Sequence, residues 1–214
     1  PMKSAFLAGA NPKCLLEDLR AFLVQVNTPL RVRSSSRLED AHFQPYAGLY
    51  ETQMIPNNHP DFEVRFEQLL TAVKRVYAST YYEGPKAFSR STANQHSEEA
   101  MAVIIQEVVG KTHADRFYPE LSGVARSFNY YPLKPARPED GVISLALGLG
   151  KTIVDGGKTW VYSPAYPSKP APYKSLEELI EQTQNEFWVV GLSKPLEYNP
   201  IKETEFLQRL NLTT

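Results

Sequence analysis

Four short stretches hold residues whose types and spacing suit chemistry on phosphate groups. In VRSSSRLED (32–40), two arginines bracket three serines. Guanidinium forks and hydroxyls make a donor-rich segment suited to phosphate oxygens, with Arg33 and Ser34 at its start. A solvated turn with a local ion pair, Arg37 with Glu39 or Asp40, accounts for the same residues. In YAGLYET (46–52), Gly48 permits close backbone approach, and Leu49, Tyr50, Glu51 and Thr52 offer amides and side chains to a polyphosphate; a turn would also call for the glycine. In VIIQEVVG (103–110), Gln106, Glu107, Val108 and Val109 end an apolar run whose edge backbone groups could pair with a base, although a plain core strand reads the same way. The fourth stretch is LGLGKTIVDGG (147–157), with Gly148, Gly150, Lys151 and Asp155. Its GKT spelling suggests a P-loop, which needs a glycine five residues before the glycine of GK[ST]. That position is Leu145, so the spacing excludes a P-loop. A tight β-turn would use such glycines, but two pairs this close also suit backbone passing near another group. Histidines 42, 59, 96 and 113 are scattered, with no HxH, HExxH or cysteine partner, so no zinc spacing exists. No GxSxG or Ser/His/Asp pattern occurs either.

These stretches must be positioned by the elements between them. KCLLEDLRAFLVQV (13–26) places apolar residues at 15, 16, 19, 22, 23 and 26, one face of a helix that Pro29 ends. LRVRSSS (30–36) reads as a short strand entering a serine-rich turn. Alternation from Tyr50 predicts a strand that PNNHP breaks. DFEVRFEQLLTAVKRVYASTYYE (61–83) holds a helical period through 62, 66, 69, 70, 73, 76 and 77. SRSTANQHSEE is polar and loop-like. MAVIIQEVV (101–109) predicts a buried strand bounded by Gly110. SGVARS, DGVISLA and TWVYSP predict further strands, and SPAYPSKPAPY (163–173) an extended connection. SLEELIEQTQNEF (175–187) opens with a capping box, Ser175 and Glu178. WVVGL predicts a last strand and ETEFLQRLNL a last short helix. Mixed helices and strands with hairpin-like spacing argue for α+β organisation rather than a regular βαβ array.

Composition narrows the class. In 214 residues, 42% are hydrophobic and 22% charged, as in ordinary globular proteins. A net charge of −1 gives no field to draw nucleic acid or an anionic membrane. The single cysteine, Cys14, cannot form an internal disulfide, which fits a reducing, cytoplasmic compartment. No apolar run approaches the roughly 20 residues that span a bilayer. The opening PMKSAFLAGANP has no signal-peptide core and no Met at position 1, so a processed chain, or one cut from something longer, is expected.

Taken in order, the stretches resemble one family. VRSSSRLED followed by YAGLYET resembles the VRSSATAED and FAGQ.ET segments of phosphoenolpyruvate synthase. MAVIIQEVVG followed by SGVARS resembles its strand, loop and SGVAFT strand, and LGLGKTIVDGG its GLGE.VV.G. The helix AVKRVYAST, followed by FSR, matches the helix that precedes the family's YR. The resemblance covers residues 30 to about 165. It implies the nucleotide-binding domain shared with pyruvate phosphate dikinase, an α+β, ATP-grasp-like fold of mainly antiparallel sheets with flanking helices, here incomplete. Residues 1–100 would form a helix-rich part, 101–165 a sheet-rich nucleotide-binding part, and 166–214 a proline-rich connection with C-terminal helices.

The same resemblance implies that ATP and Mg²⁺ bind between two subdomains. Arg33 would meet the β- and γ-phosphates and act in catalysis, with Ser34 beside it. The Gly48–Thr52 loop would close over the phosphates, and Gln106 to Val109 would receive the adenine. Gly148, Gly150 and Lys151 would lie near metal and phosphate. The β-phosphate of ATP would pass to a histidine of a separate domain and then to pyruvate, so the phosphohistidine and pyruvate-binding domains of a parent chain are the implied partners, and this piece alone would not complete the reaction. Two departures bear on this. Lys151 stands where the family's GLGE has a glutamate associated with metal, leaving Asp155 as a substitute ligand and Glu51, Glu139 and Asp140 as weaker ones. The family's GGK lid is missing, so strands without partners would expose edges and leave self-association as a homodimer open. The runner-up reading is a degenerate ATP-grasp module that binds nucleotide or a partner domain without catalysis. A third keeps the domain but changes the acceptor, as in relatives that phosphorylate rifampin or glucan.

Overall fold

In a computed structural model of the chain, residues 6–36, 39, 48–91, 100–168, 175–199 and 206–212 are described. The chain forms two compact units, residues 1–108 with 192–204 and residues 109–191 with 205–214.

In the first unit, helix α1 (Lys13–Gln25) leads into strand β1 (Leu30–Ser36). Strand β2 (Gln53–Ile55) and helix α2 (Phe62–Ser79) follow. Helix α3 (Glu83–Ser91) and strand β3 (Met101–Glu107) complete the unit. The sheet order is β2-β1-β3, antiparallel throughout. The period read in the sequence explains the core: Leu19 and Leu23 of α1 and Phe66, Leu69, Val73 and Val76 of α2 pack on Leu30, Val32 and Ile55 of the sheet. Asp61 caps α2, its carboxylate accepting from the Glu63 amide at 2.8 Å. The strand break at PNNHP is built on Asn57, buried at a φ of 55°. Its Nδ2 donates to the carbonyls of Val26 and Thr28, both at 3.0 Å.

Two expectations in this unit need correction. The helix expected over 61–83 stops at Ser79, whose hydroxyl donates to the Val76 carbonyl at 2.6 Å, and a separate helix starts at Glu83, taking residues 89–91 from the expected loop. The rest of that loop, 92–99, lies outside the described residues. Strand β3 ends at Glu107 and is not buried: among the described residues, Val103 and Ile105 alone of the strand pack on the core, and its outer edge has no neighbour in the sheet.

The second unit contains two antiparallel sheets. One has the order β10-β9-β5-β4, from β4 (Lys111–His113), β5 (Arg116–Tyr118), β9 (Glu186–Gly191) and β10 (Leu207–Asn211). The other has the order β6-β7-β8, from β6 (Ser122–Arg126), β7 (Val142–Ala146) and β8 (Trp160–Tyr162). A short helix, α4 (Lys151–Val154), follows β7, and α5 (Leu176–Gln182) precedes β9. Ser175 caps α5, its hydroxyl accepting from the Glu178 amide at 3.1 Å. The helix ends five residues before its expected limit because Glu186–Gly191 join the sheet, with Val189 and Val190 fully buried. The expected last helix is also corrected. Leu207–Asn211 pair with β9 from Leu207↔Val190 to Asn211↔Glu186, so an open strand edge prevails over a weak local helical pattern. Residues 201–205 and 169–174 lie outside the described residues. Among the described residues, no helix is long and apolar enough to cross a membrane.

Leu69 is fully buried between α2 and the sheet. Leu69→Ala is expected to lower stability by about 2–5 kcal/mol through lost burial and a cavity. Urea unfolding of the variant checks this; a loss below about 1 kcal/mol would place Leu69 outside the core.

Candidate functional site

Strand β1 alternates strictly. Leu30, Val32, Ser34 and Ser36 face the buried side, while Arg31, Arg33 and Ser35 face the other and stay half-buried. The serines are therefore part of the strand, not of a turn after it. Ser34 and Arg33 point to opposite sides: the Ser34 hydroxyl donates to Glu39 Oε1 at 3.3 Å, and the Ser36 amide to Oε2 at 3.3 Å. Arg37 and Asp40 lie outside the described residues. On the arginine face, register puts Arg31 opposite Met54 of β2 and Gln106 of β3, Arg33 opposite Ile104, and Ser35 opposite Ala102. Arg33 Nε makes one long bond, 3.4 Å to the Ser34 carbonyl. Among the described residues neither arginine has a carboxylate partner. Burial, and then the neighbouring Arg33 charge, hold Arg31 below the ordinary arginine range. Two adjacent cations left without counter-charge make a face suited to an anion.

The stretch from Gly48 to Thr52 has two characters. Gly48 is exposed at a φ of 74° with open space around it, and Leu49 is half-buried. Tyr50 is buried, its hydroxyl 3.5 Å from Ser36 Oγ, and Thr52 is half-buried. Between them Glu51 is fully engaged. Its Oε1 accepts from Arg75 Nε at 2.9 Å, from Arg75 Nη2, and from Gln53 Nε2 at 2.6 Å; its Oε2 accepts from Tyr82 at 2.8 Å. Arg75 is 8% exposed and Glu51 16%, so this is a desolvated pair that ties the loop to α2. Nothing in the sequence around Glu51 marks this role, because Arg75 and Tyr82 lie 24 and 31 residues along the chain.

At the end of β3, Gln106 is exposed, and Glu107 accepts from the Thr28 hydroxyl at 2.9 Å. The Val108 amide donates to the Pro29 carbonyl at 2.8 Å, and Val109 is 82% exposed where the chain passes from the first unit to the second. Among the described residues β3 is an edge strand, and it directs half its backbone groups away from β1.

In the second unit the glycine-rich turn is held by protein contacts. Gly148 has a φ of 79°, and a Cβ there would lie 2.7 Å from the Trp188 carbonyl. The Gly148 amide donates to the Pro119 carbonyl at 3.2 Å and the Leu149 amide to Trp188 at 2.9 Å. Gln184, which the sequence reading missed, brackets Leu147: its Oε1 accepts from the Leu147 amide at 2.7 Å and its Nε2 donates to the Leu147 carbonyl at 2.9 Å. Gly150 starts α4 in helical conformation. Lys151 pairs with Asp155 at 2.8 Å and lies over the Trp188 ring, 5.2 Å from its centroid. Asp140 caps a 3₁₀ turn, Pro138–Asp140, accepting from the Arg137 amide at 2.7 Å. Among the described residues, no group of three or more His, Cys, Asp or Glu side chains gathers as a metal site. Asp155, the carboxylate of the turn, is paired with Lys151.

Glu51→Ala would leave Arg75 buried without its counter-charge, at an expected cost of about 3–5 kcal/mol in urea unfolding. A finer test uses Tyr82. Burial, then its bond to Glu51, push this hydroxyl from 10 up to about 12. A folded pKa above the unfolded one means the contribution is whole below pH 10 and fades as pH rises toward 12. The stability gap between wild type and Tyr82→Phe therefore narrows across that window; a constant gap would show that Glu51 does not hold the hydroxyl.

The sequence matches the family described as pyruvate phosphate dikinase, AMP/ATP-binding domain, over residues 2–189. It is also 30% identical over 130 residues to an uncharacterized phosphotransferase, YvkC, of Bacillus subtilis (strain 168). That match takes in 60% of this chain and 13% of the relative, so the chain spans a small part of the relative's length. The antiparallel sheets and flanking helices agree with an ATP-grasp-like domain of this kind. The chain thus belongs to the family of pyruvate phosphate dikinase AMP/ATP-binding domains.

Proposed function

We propose that this chain is the ATP-binding domain of a phosphotransferase of the phosphoenolpyruvate synthase type, with Arg33 neutralising the β- and γ-phosphates. One observation carries the reading: Arg33, in the VRSS segment, is half-buried on a sheet face whose registered neighbours include no carboxylate. Phosphoryl transfer depends mainly on positioning and charge neutralisation, and a guanidinium held by a paired strand supplies both without reorganising. The amides of the Gly48–Thr52 loop add donors over the phosphates, and the outer edge of β3 near Gln106 to Val108 offers the adenine a backbone partner. The phosphoryl group then passes to a histidine of a separate domain and on to pyruvate, within the cytoplasm. Titration calorimetry on the full-length protein tests the phosphate role. Arg33→Ala is expected to weaken ATP binding about tenfold to a hundredfold, the range of a charged hydrogen-bond pair. Equal affinity in wild type and variant rejects Arg33 as a phosphate ligand.

A second reading, a module that binds nucleotide without transferring phosphate, draws on the Lys151–Asp155 pair, which occupies the carboxylate nearest the turn. Exchange of label between AMP and ATP in the full-length protein separates the two. Exchange supports transfer, with pyruvate or another acceptor; tight ATP binding without exchange supports the module.

A further inference from the structure

The arginine face of β1 extends beyond the VRSS motif. VRSS begins at Val32, so Arg31 precedes the motif, yet it shares a face with Arg33. The register orders the two. Arg31 lies opposite Gln106, near the end of β3 from which Val108 bonds to Pro29, whereas Arg33 lies opposite Ile104, deeper in the sheet. Two residues along a strand separate their Cα atoms by about 7 Å. Both arginines are half-buried, and the residues set opposite them by register, Met54, Gln106 and Ile104, carry no negative charge.

We infer that Arg31 is a second nucleotide-binding residue, which holds the phosphate nearest the nucleoside while Arg33 holds the outer phosphates. The inference rests on the reading that ATP lies on this face with its base toward the end of β3. A ligand laid along β1 in that direction meets Arg31 before Arg33. The site then takes nucleoside monophosphates as well as triphosphates, and the two arginines differ in which of these they sense. A nucleoside monophosphate reaches Arg31 alone, and a triphosphate reaches both. The electrostatics point the same way: burial and the Arg33 charge disfavour the Arg31 cation in the free protein. An anion at this face counters the Arg33 repulsion and offsets the cost of burial.

The test is calorimetry with AMP and with ATP on the full-length protein and its Arg31→Met and Arg33→Met variants. Arg31→Met is expected to weaken AMP at least about tenfold and ATP by a similar factor; Arg33→Met is expected to weaken ATP at least as much and leave AMP within about twofold. If Arg31→Met changes neither ligand while Arg33→Met weakens ATP, the inference fails and the ATP-binding reading stands. If neither variant alters ATP binding, the reading fails and the inference with it. The thermal midpoint of the ligand-free protein gives an independent readout. Removing an unpaired, half-buried cation leaves it unchanged or raises it, whereas a drop of several degrees would mark Arg31 as structural. Arg31→Lys keeps the charge but not the two-pronged donor, and recovers part of the AMP affinity if the phosphate contact is real.

Discussion

Strand β1 separates an apolar face from a cationic one, and the first unit is arranged around that separation. It is paired on both edges, so its register is set twice, once by β2 and once by β3. On one side Leu30 and Val32 are fully buried against the helices. Burial of such side chains is worth about 1.5–3 kcal/mol each. A slip of one residue would drive Arg31 and Arg33 into that core and bring the aliphatic residues out. The hydrophobic face thus fixes where the guanidiniums point, and two adjacent like charges are held in place by packing on the far side of the same strand.

The arginines of this unit differ in how their charge is met. Arg75 is nearly as buried as any core side chain, and its guanidinium meets Glu51, which also accepts from Tyr82 and Gln53. Such a pair keeps the loop after Gly48 in one place relative to α2. Arg31 and Arg33 are less buried and, among the described residues, have no acid opposite them. Removing one member of a buried pair costs several kcal/mol, whereas an unpaired half-buried cation adds little to the stability of the free protein. The first arrangement makes sense for folding alone. The second makes sense when a counter-ion arrives from outside.

Much of the scaffold was legible in the sequence, because α1, α2 and β1 carry strong periodic patterns that burial enforces. What was less legible depended on distant partners. The strand status of Ser34 to Ser36 follows from pairing with Met101 to Val103, which a serine run does not announce. The last strand, Leu207–Asn211, exists because β9 presents an open edge, not because its own residues favour extension. The β4–β5 hairpin turns through Ala114 at a φ of 56°, a conformation that an alanine gives no reason to expect. At the candidate site, the spacing of the arginines in LRVRSSS was readable as alternation, but the absence of a counter-charge was not, since it depends on what β2 and β3 bring alongside.

The glycine-rich turn completes this argument from the opposite direction. LGLGKTIVDGG is the most motif-like stretch of the chain, yet most of its features have partners within the protein, the buried Thr152 hydroxyl being the exception. Gly148 is required by a positive φ and by the Trp188 carbonyl; Leu147 is bracketed by Gln184; Gly157 approaches the Thr152 carbonyl, to which its amide donates at 2.7 Å. Lys151 is held between Asp155 and the Trp188 ring. The glycines and the lysine of the stretch that most resembles a phosphate loop are therefore explained by its own packing. The plainer stretch LRVR keeps two guanidiniums that, among the described residues, have no carboxylate partner, and it is this unanswered charge on a paired strand, more than the glycine spelling, that the phosphate proposal draws on.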